Sequence, residues 1–439
     1  MGNLLNWFKT LELFVNNRRA KQYAVRRSDP DHPEHVSPDK LTNINKIVRQ
    51  SEYSSIQIET TVPPPTTTVA SSNQCSDFYL ACRNNNIEEV QNLLSTIDIH
   101  DIDRIEPNGS TALHAACFHG HQEIVELLLN QGANRAIQNK YGYLPFDEAN
   151  SDKIKQLFYR IPNCNRFISN IGTIEWEIID DDDDDVIDDA ARTRHSLKSI
   201  FDNASGLTPM ETMFEKIETK YIGKGLVNFQ RIEDIKRFFR KATEEQDPIW
   251  IVTAYTAETE FYKILNRDIA GGSTQHQNER QFIIALLLFH PKLDHLSYTG
   301  PSYRVMQMNE DNIKKYKENC LLMTKSFVSS SIDEQIALWF LGRQELARKE
   351  NGQANRFNLD GKIIKKWIMC KYQIKGRRNA LHIENSSQYA SEGEILIMPY
   401  TVFRVINIAE VKVPNMDDEH WITEIQLEEY EQYIPTVFL

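Results

Sequence analysis

An all-α module of short helical repeats, followed by an α+β domain in which a helical lobe precedes a mixed β core, is the fold class this sequence predicts. Three observations lead there. The chain resembles itself at offsets of 33 and 35 residues in its first half. In its second half the apolar period shifts from that of a helix toward two. Polar, proline-bearing and acidic stretches separate the parts. A length of 439 residues exceeds one ordinary core. The reading is a leader and linker over 1–74, repeats over 75–160, an acidic linker over 161–206 and an α+β domain over 207–439.

The opening, MGNLLN, comes near the N-myristoylation pattern but has Asn6 where Ser or Thr is preferred. Seven apolar residues between Leu4 and Phe14 then precede Arg18, Arg19, Lys21, Arg26 and Arg27. That mixture can meet an anionic membrane surface, although a leader docked on the body of the protein accounts for it better, because one short apolar segment anchors weakly. No apolar stretch with a small-residue cleavage site marks a secretory signal. The longest apolar run, Phe282 to Phe289, is under half the ~20 residues a membrane crossing needs, so a buried helix is expected there. Six cysteines lie scattered without CxxC pairs, as in reduced cytoplasmic proteins, and no metal site is expected. A formal net charge of -12 excludes a general affinity for nucleic acid, which needs clustered basic side chains. From Ser28 to Gln74 the chain is polar and ends in VPPPTTTVASS, too poor in apolar groups to offset the entropy of ordering.

The repeat begins next. LACRNNNIEEVQNLL, from Leu80, aligns with AACFHGHQEIVELLL, from Ala115, and sets Cys82 over Cys117, 35 residues apart. GSTALHAA, from Gly109, aligns with GYLPFDEA, from Gly142, 33 residues apart. Ala115 and Ala116 are small enough for close helix pairing, Ile124, Val125, Leu128 and Leu129 form one apolar stripe, and Gly132 suits a helix end. Period and pattern resemble the ankyrin repeat, with Ala112 where that family usually has proline. About two and a half copies are legible, the last degenerate. The resemblance implies a protein partner, and implies that His114 hydrogen-bonds backbone; this argues against a metal site at His114, His119 and His121. The acidic run IIDDDDDDVIDD, Ile178 to Asp189, should repel itself and stay extended, and it lacks the glycine and spacing of a calcium loop.

The α+β domain opens with Thr208, Pro209 and Glu211 at the N-cap, N1 and N3 positions of a capping box. Helical spacing recurs at Ile232, Ile235, Phe238, Phe239 and at Phe261, Ile264, Leu265, whereas Thr423, Ile425 and Leu427 alternate with polar residues as in a strand. Three short segments stand out: YTGPSYRVMQM with Arg304, FVSSSI with Ser329, Ser330 and Ser331, and SEGEILIMP with Glu392 and Glu394. Each residue alone suits an ordinary surface role. In this order, with 25 residues from Arg304 to Ser329 and 63 from Ser329 to Glu392, they resemble the arginine-specific mono-ADP-ribosyltransferases over roughly half the chain.

That resemblance implies transfer of ADP-ribose from NAD, or NADP, to arginine on a target protein. NAD is then a co-substrate and no cofactor is bound permanently; no GxGxxG fingerprint occurs. Breaking the bond between nicotinamide and ribose develops positive charge on the sugar, which a nearby carboxylate stabilises. By the resemblance that carboxylate is Glu394. Arg304 offers a planar fork to phosphate or ribose. Ser329 holds the nicotinamide ribose and orients Glu394. Glu392, on the face of Glu394 if both lie in a strand, receives the acceptor guanidinium. Tyr389, in the loop before the glutamates, either positions an acceptor or only packs that loop. Two departures occur: Ser330 replaces threonine, and Val305 replaces a glycine, where its bulk would narrow the cleft. Two alternatives stay open, water as the acceptor and an interaction scaffold without turnover.

Overall fold

The computed structural model describes residues 74–97, 99–159, 176–179, 184–203, 209–226, 229, 231–350, 366–413 and 421–430. The leader, its candidate acylation and membrane residues, the proline run, Cys164 and Thr208 lie outside the described residues. The described residues fall into two compact units. One holds the chain up to Leu128 together with Gln138–Ile154; the other holds Leu129–Ile137 and the chain from Lys155 onward.

In the first unit, α1 (Asp77–Arg83) and α2 (Ile87–Leu94) form one helix pair. α3 (Ala112–His119) and the start of α4 (Gln122–Asn130) form the next. The α1 N-terminus is capped by Ser76, whose Oγ accepts from the Tyr79 N–H at 3.2 Å. Thr111 does the same for α3. Cys82 and Cys117, equivalent in the repeat, are both fully buried, as are Ala116, Ile124 and Val125. Small residues and the apolar stripe thus form the interface between helices. Gly109 and Gly142 hold φ of 81° and 77°, so the repeat extends to backbone conformation. His114 behaves as the repeat pattern implies. Its Nδ1 accepts from the Thr111 N–H at 3.3 Å, which leaves Nε2 protonated to donate to the Tyr143 carbonyl at 3.0 Å. Burial pushes this imidazole down to about 4, so it stays neutral.

The second unit is a helical lobe on a nine-stranded sheet. The described strands are β1 (Trp176–Ile179), β2 (Gly300–Met308), β3 (Leu321–Thr324), β4 (Val328–Ser331), β5 (Lys366–Ile374), β6 (Ala380–His382), β7 (Glu394–Ile397), β8 (Val402–Lys412) and β9 (Trp421–Glu429). Their order is β1-β3-β8-β9-β5-β2-β4-β7-β6. All pairings among them are antiparallel except β5 with β9. The alternation over Thr423, Ile425 and Leu427 is therefore a strand, with Ile425 and Leu427 in the sheet's core.

The lobe comprises α5 (Asp184–Phe201), α6 (Met210–Lys216), α7 (Ile232–Glu245), α8 (Ile249–Thr256), α9 (Phe261–Ala270) and α10 (Gln277–Phe289). The run Phe282 to Leu288 is the buried middle of α10. Two expectations need correction. The acidic run is not extended throughout: Ile178 and Ile179 belong to the extended β1, paired with β3, but Asp184 begins the helix α5. Ala190, Arg194 and Leu197 form the buried stripe of that helix, a spacing hidden in the sequence by the charge around it. Pro209 is the N-cap of α6 rather than its first residue. Beyond α6 the chain continues as a π-helix, Ile217–Gly225. Among the described residues no helix is long and apolar enough to cross a membrane.

Candidate active site

Three neighbouring strands carry the residues singled out in the sequence. Arg304 lies on β2, Ser329 to Ser331 make up most of β4, and Glu394 is the first residue of β7. β4 sits between the other two. Arg304, Ser329, Glu392 and Tyr389 are 3%, 3%, 5% and 3% exposed, and Glu394 is fully buried. Buried carboxylates are held by hydrogen bonds or by positive charge beside them.

Register refines the expected roles. Ser331, not Ser329, stands directly opposite Glu394, and Ser329 stands opposite Leu396 on the same face. The Ser331 hydroxyl donates to the Glu392 carbonyl at 2.8 Å and accepts from the Asp333 N–H at 3.1 Å. It therefore holds the backbone between the two glutamates, whereas the role expected of Ser329 was to hold the nicotinamide ribose and orient Glu394. The β2 residue registered with Ser331 is Tyr303. Burial and the nearby Glu334 push the Tyr303 phenol up, so it remains a donor across neutral pH. Arg304 donates from Nη1 to the Ser329 carbonyl at 2.5 Å, tying β2 to β4.

Glu392 is not in the strand. It ends a short 3-10 turn, Ala390–Glu392, and Gly393 follows with φ 53°, the left-handed conformation that glycine adopts without steric cost. Strand alternation thus does not set the direction of Glu392; the turn does. Val305 also departs from expectation. It is fully buried in a cluster with Ile336, Phe340 and Met369, on the side of β2 that faces the helix Glu334–Glu350. By alternation this is the face opposite Arg304, so the bulk of Val305 fills a core and does not narrow the Arg304 side.

The loop ahead of the glutamates is fixed from α8. The Gln388 N–H donates to Thr256 Oγ1 at 3.0 Å, and Thr253 Oγ1 donates to the Ser386 carbonyl at 3.1 Å. The Glu392 N–H then donates to the Tyr389 carbonyl at 3.1 Å. Neither threonine of α8 carries a sequence signal for this role. It emerges only from the packing of the lobe against the loop.

Comparisons with known proteins fall on the two halves separately. Residues 78–166 match the family model for ankyrin repeats in three copies, where about two and a half are legible by eye. The repeat region is an ankyrin array. "Ankyrin repeat and SAM domain-containing protein 6" of Mus musculus is 55% identical over 40 residues, 9% of this chain and 4% of that protein. "Ankyrin repeat and KH domain-containing protein mask" of Drosophila melanogaster is 41% identical over 63 residues, 13% of this chain and 2% of that protein. The chain therefore spans only a small part of the length of these curated relatives.

Among solved structures, the ADP-ribosyltransferase Vis of Vibrio splendidus, in complex with agmatine, is 15% identical, covering 52% of this chain and 87% of that one, with a TM-score of 0.28. The type III effector XopAI of Xanthomonas axonopodis pv. citri is 15% identical, covering 58% and 95%, with a TM-score of 0.34. Exoenzyme S of Pseudomonas aeruginosa, bound to carba-NAD and human 14-3-3 protein beta, is 15% identical, covering 48% and 88%, with a TM-score of 0.29.

Proposed function

We propose that this chain transfers ADP-ribose from NAD to arginine side chains of a protein in the cytoplasm, releasing nicotinamide, and that the ankyrin array binds a protein partner. The observation that carries the reading is the placement of Arg304, the β4 serines and Glu394 on three adjacent strands, with the Glu392 carbonyl bound by Ser331. In this reading Arg304 and Ser329 bind NAD as a co-substrate. The bond from ribose C1 to the nicotinamide nitrogen breaks, and its electron pair leaves with nicotinamide. Glu394 stabilises the positive charge left on the sugar. A guanidinium nitrogen of the acceptor, oriented by Glu392 and Tyr389, attacks C1 and loses a proton to the Glu392 carboxylate.

The test is nicotinamide release from NAD by the purified full chain, with and without agmatine as an arginine analogue. Wild type is expected to modify agmatine. Glu394→Gln is expected to abolish turnover, and Glu392→Gln to spare only hydrolysis. Release that agmatine and Glu392→Gln leave unchanged would assign the acceptor to water. No release under any condition would end the enzymatic reading.

A further inference from the structure

The segment Leu129–Ile137 belongs to the same compact unit as the sheet, although it lies within the repeats in sequence. It meets the acceptor loop through two consecutive residues. The Gln388 side chain accepts from the Arg135 N–H at 3.2 Å and donates from Nε2 to Asn134 Oδ1. The Arg135 guanidinium lies over the Tyr389 ring, 4.7 Å from its centroid. Tyr389 is the residue that the proposed function assigns to an incoming arginine, and here it already carries one.

We propose that Arg135 is an internal acceptor mimic: its guanidinium occupies the place on Tyr389 that an acceptor arginine takes, and must leave before transfer. The proposal rests on the arginine-acceptor reading. Three observations support it. The chemistry matches, since a planar cation stacked on an aromatic face is the contact an arginine acceptor would make. The loop is gripped on both sides, by Thr256 from α8 and by Asn134 and Arg135 from this segment, so the ring is presented in a fixed orientation. The contact is also incompletely satisfied: Arg135 Nη1 is buried and makes no hydrogen bond to any described residue. A buried donor left unsatisfied weakens the arrangement that contains it. That favours an occupant which can be displaced over one that serves only to hold the fold.

The test compares the purified full chain with Arg135→Ala and Arg135→Lys, measuring KM and kcat for agmatine at saturating NAD, and hydrolysis of NAD without acceptor. Removal of the mimic is expected to lower KM for agmatine by about 2- to 30-fold, the range that loss of one competing cation–π contact implies. Hydrolysis should stay within about twofold, because Glu394 and the β4 serines are untouched. Arg135→Lys keeps the charge and loses the planar stack, so its KM should fall part of the way and guards against a fold defect in the alanine variant. If agmatine is modified but KM is unchanged or raised in both variants, the mimic is overturned and the acceptor reading stands. Parallel loss of hydrolysis and transfer would mark Arg135 as structural and also overturn it. If every form releases nicotinamide and none modifies agmatine, the acceptor reading fails and takes this proposal with it.

Discussion

In the repeat unit, His114 is held by Thr111, three residues away, and by the Tyr143 carbonyl, 29 residues on in the next repeat. In the sheet unit, the Arg304 contact spans 25 residues and the serine strand reaches Ile395 across 65. Buried polar groups of the first kind join successive repeats, so their loss should appear as lost stability. Those of the second kind join the strands of the candidate site, where loss should appear mainly as lost turnover. The contrast teaches that burial alone does not mark function; what a buried group faces does.

The largest expected effect breaks the comparison if it fails. Glu394→Gln should reduce nicotinamide release by about 10²–10³ or more, as for loss of a principal electrostatic stabiliser, while urea unfolding stays near wild type. A variant that unfolds early but turns over normally would put Glu394 in the structural class.

His114→Ala should do the reverse, costing about 2–4 kcal/mol of stability with nicotinamide release unchanged under folded conditions. A pH series sharpens this. The folded imidazole sits at about 4, below its ordinary 6.5, so the unfolded chain takes up the proton first as pH falls. The contribution is present above pH 6.5 and is lost as pH falls through 4, a dependence that urea unfolding should show in wild type and not in the variant.

Ser331→Ala lies between the two classes. It removes the hydroxyl that links the Glu392 carbonyl to the Asp333 N–H, and should slow transfer about tenfold with a stability loss of about 1–2 kcal/mol. A Ser329→Ala variant with the larger defect would return the positioning role to that residue.

The smallest effect concerns Glu148, whose carboxyl burial pushes up to about 7 despite a 2.8 Å hydrogen bond from Asn139. Its stabilising contribution is complete below its ordinary 4.5 and is lost as pH rises through 7, opposite in sign to that of His114. Glu148→Gln should therefore raise stability at pH 8 by about 1 kcal/mol and change it little at pH 4.5, read again by urea unfolding.

Much of the fold was legible because periodicity reports a residue's face directly. The stripe Ile124, Val125, Leu128 gave α4, and the alternation at Ile425 and Leu427 gave β9. Helix α5 was hidden because its buried positions, Ala190, Arg194 and Leu197, are few, and one of them is itself charged. Arg194 is buried because the Pro399 carbonyl and the Thr401 hydroxyl accept from it at 3.0 and 2.7 Å, partners no local pattern announces. For the site, the residue types and their order could be read, but register could not. That Ser331 faces Glu394 depends on how β4 meets β7, and a shift of one residue would exchange it with Ser330. The turn at Glu392 did carry a local signal, the glycine at Gly393, which breaks a strand as readily as it permits one.

Strand order carries a consequence for biogenesis. The stretch from β5 to β6 that bears Arg304, Ser329 and Glu394 is joined to β1, β3 and β8 only through β9, the last of the nine described strands along the chain. A ribosome extruding this polypeptide delivers β5 before its parallel neighbour exists, leaving the backbone edge of β5 unpaired while β9 is still being synthesised. Nascent chains stalled in that interval would present an open template to one another, so the demand for chaperone protection should peak late in translation and end when β9 docks.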